Sequence, residues 1–301
     1  MKILNKTLLL FMLPLSVLTA ETPKPTTQLD FSSLVNDFME EDNLLKKTIN
    51  LSGKQRMLTQ NMSKLALQSS HNIQTKKSRE TLKKMAELYN KTLNGFKNGD
   101  SDLEIKATNN KKVKEQIAVV EKAWKPFYEA VNKIVSGKDK DGKALAYIIA
   151  NNEKLLSLSN ELVEAYESSN TSANYLEKAR LHVVNIAGRQ RMLTQKMTKE
   201  KLLLVNGEKS YAPKLLKTIK LFDSSLTALI KGDKSQNITK PTNEKIIKQL
   251  KKVSKLWAEL KPLYEKKKNS VKELAIIISK NGTLLKEMNT MVNMAEQEAE
   301  Y

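Results

Sequence analysis

Two arginines hold the same place in a motif that occurs twice in the chain. Arg56 lies in GKQRMLTQNMSK at 53–64, and Arg191 lies in GRQRMLTQKMTK at 188–199. No Asp or Glu occurs at 43–79 or at 178–199, although a charge removed from water needs a partner. Either each arginine reaches solvent or a distant carboxylate, or the planar guanidinium groups bind a small anion.

The neighbours of these arginines fit a helix with two faces. Leu51, Leu58 and Met62 recur at the spacing of a buried helical stripe. The adjacent stripe carries a glycine, which destabilises a helix by about 1 kcal/mol relative to alanine and therefore suggests close approach of a second helix. Amides beside the arginines could complete the hydrogen bonding of a planar oxyanion, or could bond between helices or to water. The candidate ligand-binding residues are therefore Arg56, Arg191, Gly53, Gly188, Asn50, Asn185, Gln60 and Gln195.

The motif also carries a family resemblance. The pattern IN-x-SG-x-QRMLTQ-x-M-x-K resembles the first-helix signature of the PilJ-type domain, the N-terminal domain of type IV pilus methyl-accepting chemotaxis transducers. It is similar to the periplasmic sensor domain of nitrate/nitrite sensor histidine kinases, which lack the QRMLTQ continuation. The kinases imply a four-helix bundle that dimerises through its first helix, with one arginine from each subunit holding nitrate. That arginine corresponds to Arg56 and Arg191. The resemblance is carried by these residues of the first copy: Ile49, Asn50, Ser52, Gly53, Gln55, Arg56 and Met57.

Periodicity predicts an all-α protein with two tandem antiparallel four-helix bundles. We expect Pro126 to kink or restart the third helix, because proline removes a backbone donor. Lys261-Pro262-Leu263-Tyr264 matches Lys125-Pro126-Phe127-Tyr128 as its counterpart in the second copy. The predicted helices cover 30–69, 77–96, 103–135 and 144–167 in the first copy, and 176–204, 215–230, 243–268 and 271–299 in the second.

Two arrangements of the copies are compatible with the sequence. If 168–172 is a turn, the copies lie side by side as an internal pseudo-dimer, and Arg56 and Arg191 share one anion. If one helix continues through this segment, the bundles stack end to end, and each arginine needs a second chain in a homodimer.

The N-terminus predicts export. Lys2 and Lys6 precede an apolar run that is too short to span a bilayer comfortably, which is typical of a cleavable signal peptide; an uncleaved anchor is the less favoured alternative. We therefore expect a signal peptide at 1–20, a polar tether at 21–28, a first PilJ-type module at 29–168 and a second at 169–301. The expected location is the periplasm.

Composition excludes several classes of function. The chain has 52 Lys+Arg against 33 Asp+Glu, a net charge of +19, but six Phe and two Trp provide few platforms for stacking bases, so no nucleic-acid partner is expected. No paired carboxylates, nucleophile with a base or glycine-rich phosphate loop is evident. We expect neither enzyme activity, nor a cofactor, nor a metal site.

These observations favour a soluble periplasmic module that binds a small oxyanion, with nitrate or nitrite first, and signals through a separate membrane chemoreceptor or sensor kinase. The alternative is an adaptor without a ligand, which docks helix to helix on a type IV pilus chemotaxis protein or a sensor kinase.

Overall fold

The computed structural model describes residues 44–169 and 175–298, with side chains from 47–169 and 182–295. Helices fill most of both ranges, as the periodicity predicts. The first range holds α1 Leu44–Ser70, α2 Thr75–Asn98, α3 Lys111–Val135 and α4 Lys143–Ser169; the second holds α5 Tyr175–Val205, α6 Tyr211–Lys231, α7 Glu244–Glu265 and α8 Val271–Glu298.

Each copy forms a four-helix bundle. In the first, α1 packs on α2 and α4, and α3 packs on α2 and α4; in the second, α5 packs on α6 and α8, and α7 does the same. Most buried apolar side chains of both copies form one continuous core, and Leu67, Leu202, Leu203 and Tyr211 form a smaller separate cluster. Asparagine caps begin the third helix of each copy: Asn110 accepts a bond from the Val113 amide at 3.2 Å, and Asn243 accepts one from the Lys245 amide at 2.9 Å.

The two bundles lie side by side, joined by extensive packing of α1 against α5. Contacts across this seam are reciprocal: Arg56 bonds Asn185, and Arg191 bonds Asn50. Equivalent positions follow one another in the same order along both helices, so α1 and α5 run parallel about an approximate twofold axis. Of the two predicted arrangements, the structure adopts the internal pseudo-dimer.

The third helix begins later than its apolar pattern predicts, at Lys111 and not at residue 103. Leu103 and Ile105 are buried and therefore mimic the helical stripe. They belong to a short connection in which Asp100 and Ile105 exchange backbone bonds of 2.9 and 2.8 Å. The helix then runs through Pro126 without a restart, so of the two expected effects of this proline the restart was wrong and the kink stays a prediction.

The two proline motifs are not counterparts in space. Trp124 packs against Tyr89 and donates to Asn90, whereas Trp257 packs against Phe222 and donates to Asp223. The tryptophans therefore set the alignment of the copies. Pro126 comes two residues after the first tryptophan and Pro262 five residues after the second. Aligning the two prolines therefore displaces one third helix against the other by nearly one helical turn.

Several sequence predictions fall outside the described residues: the signal peptide at 1–20, the tether at 21–28, the first part of the predicted helix at 30–69, and most of the polar segment 168–172. Among the helices of the described ranges, none combines the length and apolar character that a membrane crossing requires.

Candidate functional site

The two arginines meet at the seam between the copies, each almost completely buried. Arg56 donates from Nη1 to Asn160 Oδ1 at 3.0 Å and from Nη2 to Asn185 Oδ1 at 2.7 Å. Arg191 repeats the pattern, donating to Asn289 Oδ1 at 2.9 Å and to Asn50 Oδ1 at 2.8 Å. Each guanidinium thus bonds one amide of its own copy and one amide of the other.

The glycines leave room for the guanidinium groups. A Cβ built at Gly53 would lie 3.4 Å from Arg56 Nη2, and one at Gly188 would lie 3.4 Å from Arg191 Nη2 and 3.8 Å from Arg56 Nη2. As the glycines predict, a second helix packs along this seam, α5 against α1. The arginine side chains, however, occupy the space in front of the glycines. A cavity of about 10 Å³ remains, which is about the room that one water molecule needs.

Positive charge is concentrated at this seam. Burial is the main cause that lowers the pKa of Arg56 to about 10; the charges of Arg189 and Arg191 act in the same direction, and Glu167 opposes the shift. Within the described ranges, no carboxylate lies within ion-pair distance of Arg56. Glu167 does line the cavity, and burial raises its own pKa despite the nearby Arg56.

Gln60 and Gln195 do not join the arginines. They lie one to two helical turns further along the seam, where they accept bonds from buried lysines of the opposite copy: Lys199 Nζ to Gln60 Oε1 at 2.7 Å, and Lys64 Nζ to Gln195 Oε1 at 2.6 Å. The prediction that they lie beside the arginines was therefore wrong, although they do bond between helices.

In this lysine layer Lys199 bonds a carboxylate as well as amides. Lys199 also donates to Asn152 Oδ1 at 2.6 Å and to Glu153 Oε1 at 2.5 Å, whereas Lys64 donates to Asn281 Oδ1 at 3.1 Å. Burial lowers the pKa of Lys64 to about 7 and that of Lys199 to about 8, the latter opposed by the charge of Glu153. Burial works to raise the pKa of Glu153 itself, but Lys199 and Lys196 outweigh it and hold the value at about 2.

Sequence reasoning missed both lysines and the second amide of each arginine. Lys64 and Lys199 end the repeated motif, and lysine is normally a surface residue. Asn160 and Asn289 stand at matching positions of α4 and α8, as Asn152 and Asn281 do. The signal that could have identified them is that asparagines recur at the same places in both copies.

Two four-helix bundles that are joined through their first helices define a tandem helical-bundle module. The family model described as type IV pili methyl-accepting chemotaxis transducer N-term, PilJ, matches residues 40–147 and 162–277, more than half of the chain. The chain belongs to this family, a family of signal-transducer sensor domains and not of enzymes, and it carries two copies of the domain. A comparison with curated proteins gave no match.

Proposed function

We propose that the chain is a periplasmic sensor module that binds a small oxyanion, nitrate or nitrite first, between Arg56 and Arg191. It passes occupancy to a separate membrane receptor or kinase. The observation that carries this proposal is that two buried guanidinium groups, one from each copy, line one cavity. Arg56 is held there by neutral amide and carbonyl oxygens. The signal-like N-terminus supports the periplasmic location.

The size of the cavity makes binding a conformational event. A space for one water molecule is too small for a planar oxyanion, so the anion has to displace the acceptors that now hold the Nη2 atoms. Those acceptors, Asn185 and Asn50, each come from the opposite copy. Their amides would turn to donate to the bound anion through their NH2 groups.

The displacement of these two asparagines couples anion binding to the packing of α1 against α5. The present bonds tie α1 to α5 directly, whereas an anion would bridge them and reduce the repulsion between the two cations. Binding therefore favours a different offset of the two parallel helices, and the ligand shifts the equilibrium by its differential affinity for the two states.

The alternative of an adaptor without a ligand has less support. Docking through the motif needs that seam to be open to a partner helix. Here the seam of each copy is covered by the other copy, and the motif residues Arg56, Gln60, Arg191 and Gln195 are buried. A partner would have to use a different surface.

Titration calorimetry with nitrate, nitrite, sulfate and chloride tests the proposal. We expect selective binding of a planar oxyanion, lost in Arg56→Ala and Arg191→Ala and weakened about tenfold in Arg56→Lys, which keeps the charge but not the planar fork. Arg79→Ala is the matched control, since Arg79 bonds Ser69 away from the cavity. If the seam variants bind every anion as the unmodified protein does, the proposal is wrong.

Glu167→Gln should tighten anion binding about three- to tenfold. The carboxylate lines the cavity and competes with an anion for the positive potential there, so its removal favours the ligand by roughly 1 kcal/mol. Because burial raises the pKa of Glu167, a falling pH protonates this group and should strengthen binding in the unmodified protein. Calorimetry between pH 7 and 5 checks this. An equally steep pH dependence in Glu167→Gln would assign the effect to another group.

A further inference from the structure

A second cavity lies on the outer surface of the first copy, far in sequence from the motif. It is a groove of about 400 Å³ between α2, α3 and the connection that follows α2. Its volume is within the range of about 300–1,000 Å³ that is usual for small-molecule sites. Three asparagines, Asn90, Asn94 and Asn98, follow one another along α2 on the groove side, and Tyr128 of α3 faces them.

The groove is rich in hydrogen-bonding groups, and its lining carries two carboxylates, Glu87 and Asp100, and one ammonium group, Lys91. Lys83, outside the lining, pairs with Glu87 at 3.8 Å. Trp124 donates to the amide oxygen of Asn90 at 2.9 Å, which leaves the NH2 of that amide as a donor. Asn94 and Asn98 are exposed. Lys91 is held by Asp102 at 2.7 Å and by Asp100 at 3.8 Å, so the cation in the groove is neutralised. A neutral ligand that both donates and accepts hydrogen bonds matches this lining better than an anion does.

The second copy carries an ion pair at the same place on the same scaffold. In the alignment that the tryptophans set, Asp223 replaces Asn90, and Lys261 replaces Tyr128. Asp223 accepts from Trp257 at 2.8 Å and pairs with Lys261 Nζ at 2.8 Å. Thr227 and Lys231 stand where the first copy has Asn94 and Asn98. An ion pair that serves the fold in one copy is thus absent from the other, where amides and a tyrosine line an open groove.

We propose that this groove of the first copy is a saccharide site, which binds a neutral mono- or disaccharide through the amides of Asn90, Asn94 and Asn98 and the ring of Tyr128. Side-chain amides pair with neighbouring sugar hydroxyls because each offers two donors and an acceptor. Tyr128 provides an aromatic surface, which the stacked indole of Trp124 supports at 5.1 Å between ring centroids. The site is independent of the arginine pair.

The test begins with a glycan array of neutral oligosaccharides, followed by calorimetry of the purified protein with the hits and with cellobiose, maltose and N,N′-diacetylchitobiose. The decisive variant is the double replacement Asn90→Asp with Tyr128→Lys, which transfers the ion pair of the second copy into the first. It should fold normally, because the second copy already accommodates this pair. We expect it to weaken saccharide binding at least tenfold.

Asn94→Ala should weaken binding three- to tenfold, and Thr227→Ala, at the corresponding position of the second copy, should leave it unchanged. Nitrate titration of the same variants should be unaffected, which separates this proposal from the previous one. The absence of saccharide binding at millimolar concentration, equal binding by the double variant, or a preference of the groove for amines over sugars would each overturn it.

Discussion

Replacing Gln60 with leucine should lower the free energy of unfolding by about 2–3 kcal/mol. The amide oxygen of Gln60 is the acceptor that the opposite copy offers to the buried ammonium of Lys199, at 2.7 Å. Losing one hydrogen bond to a buried charge costs about 1.5–3 kcal/mol, because the desolvated charge stays in place. Denaturant unfolding of the single variant measures the loss.

A triple variant distinguishes charge from shape. Lys199 also donates to the buried amide oxygen of Asn152, so that acceptor has to be removed together with the lysine. When Lys199→Met and Asn152→Leu accompany Gln60→Leu, the ammonium and both amide acceptors are gone, and stability should return to within about 1 kcal/mol of the unmodified protein. Glu153 then still pairs with Lys196 at 2.5 Å. If the triple variant is as unstable as Gln60→Leu alone, packing at position 60 is what matters, and the lysine layer contributes little.

Gly188→Ala should have opposite effects on binding and on stability. The new methyl group would lie 3.4 and 3.8 Å from the Nη2 atoms of Arg191 and Arg56, which is ordinary contact without a clash. It would, however, occupy the space that an anion needs. We expect anion affinity to fall at least tenfold, while the free energy of unfolding without anion rises by about 0.5–1 kcal/mol from the better helix propensity.

Calorimetry and thermal unfolding of the same preparation check both effects. Gly53→Ala provides a graded comparison, because its Cβ meets only Arg56 Nη2, at 3.4 Å. It should stabilise the helix equally and weaken binding less. If the Gly188→Ala variant binds nitrate as tightly as the unmodified protein, the ligand lies elsewhere.

Much of the architecture could be predicted from the sequence, since eight long segments carry the 3.6-residue period and the second set repeats the first. The predicted helix boundaries were wrong where buried residues belong to irregular backbone, as Leu103 and Ile105 do. The predicted alignment of the third helices was wrong because it matched the identical residues around Pro126 and Pro262. The packing is fixed instead by the single tryptophan of each third helix.

The site was predicted only in part for a related reason. The arginines, asparagines and glycines of the motif do come together, because one repeated helix meets its own copy. What the periodicity of a single helix cannot give is the partner across the seam. Gln60 and Lys199 are far apart in the chain, and a lysine at the end of a motif looks like a surface residue. The parallel offset of α1 and α5 brings these two together.

The two halves of the arginine pair are carried on one polypeptide. A binding site shared by two separate subunits is lost when the subunits dissociate at low protein concentration. Here the second guanidinium is always present at the effective concentration that the covalent connection sets. For the anion site proposed above, we therefore expect occupancy to depend on the amount of anion and not on how much of the protein the cell makes. The response threshold should stay constant on dilution.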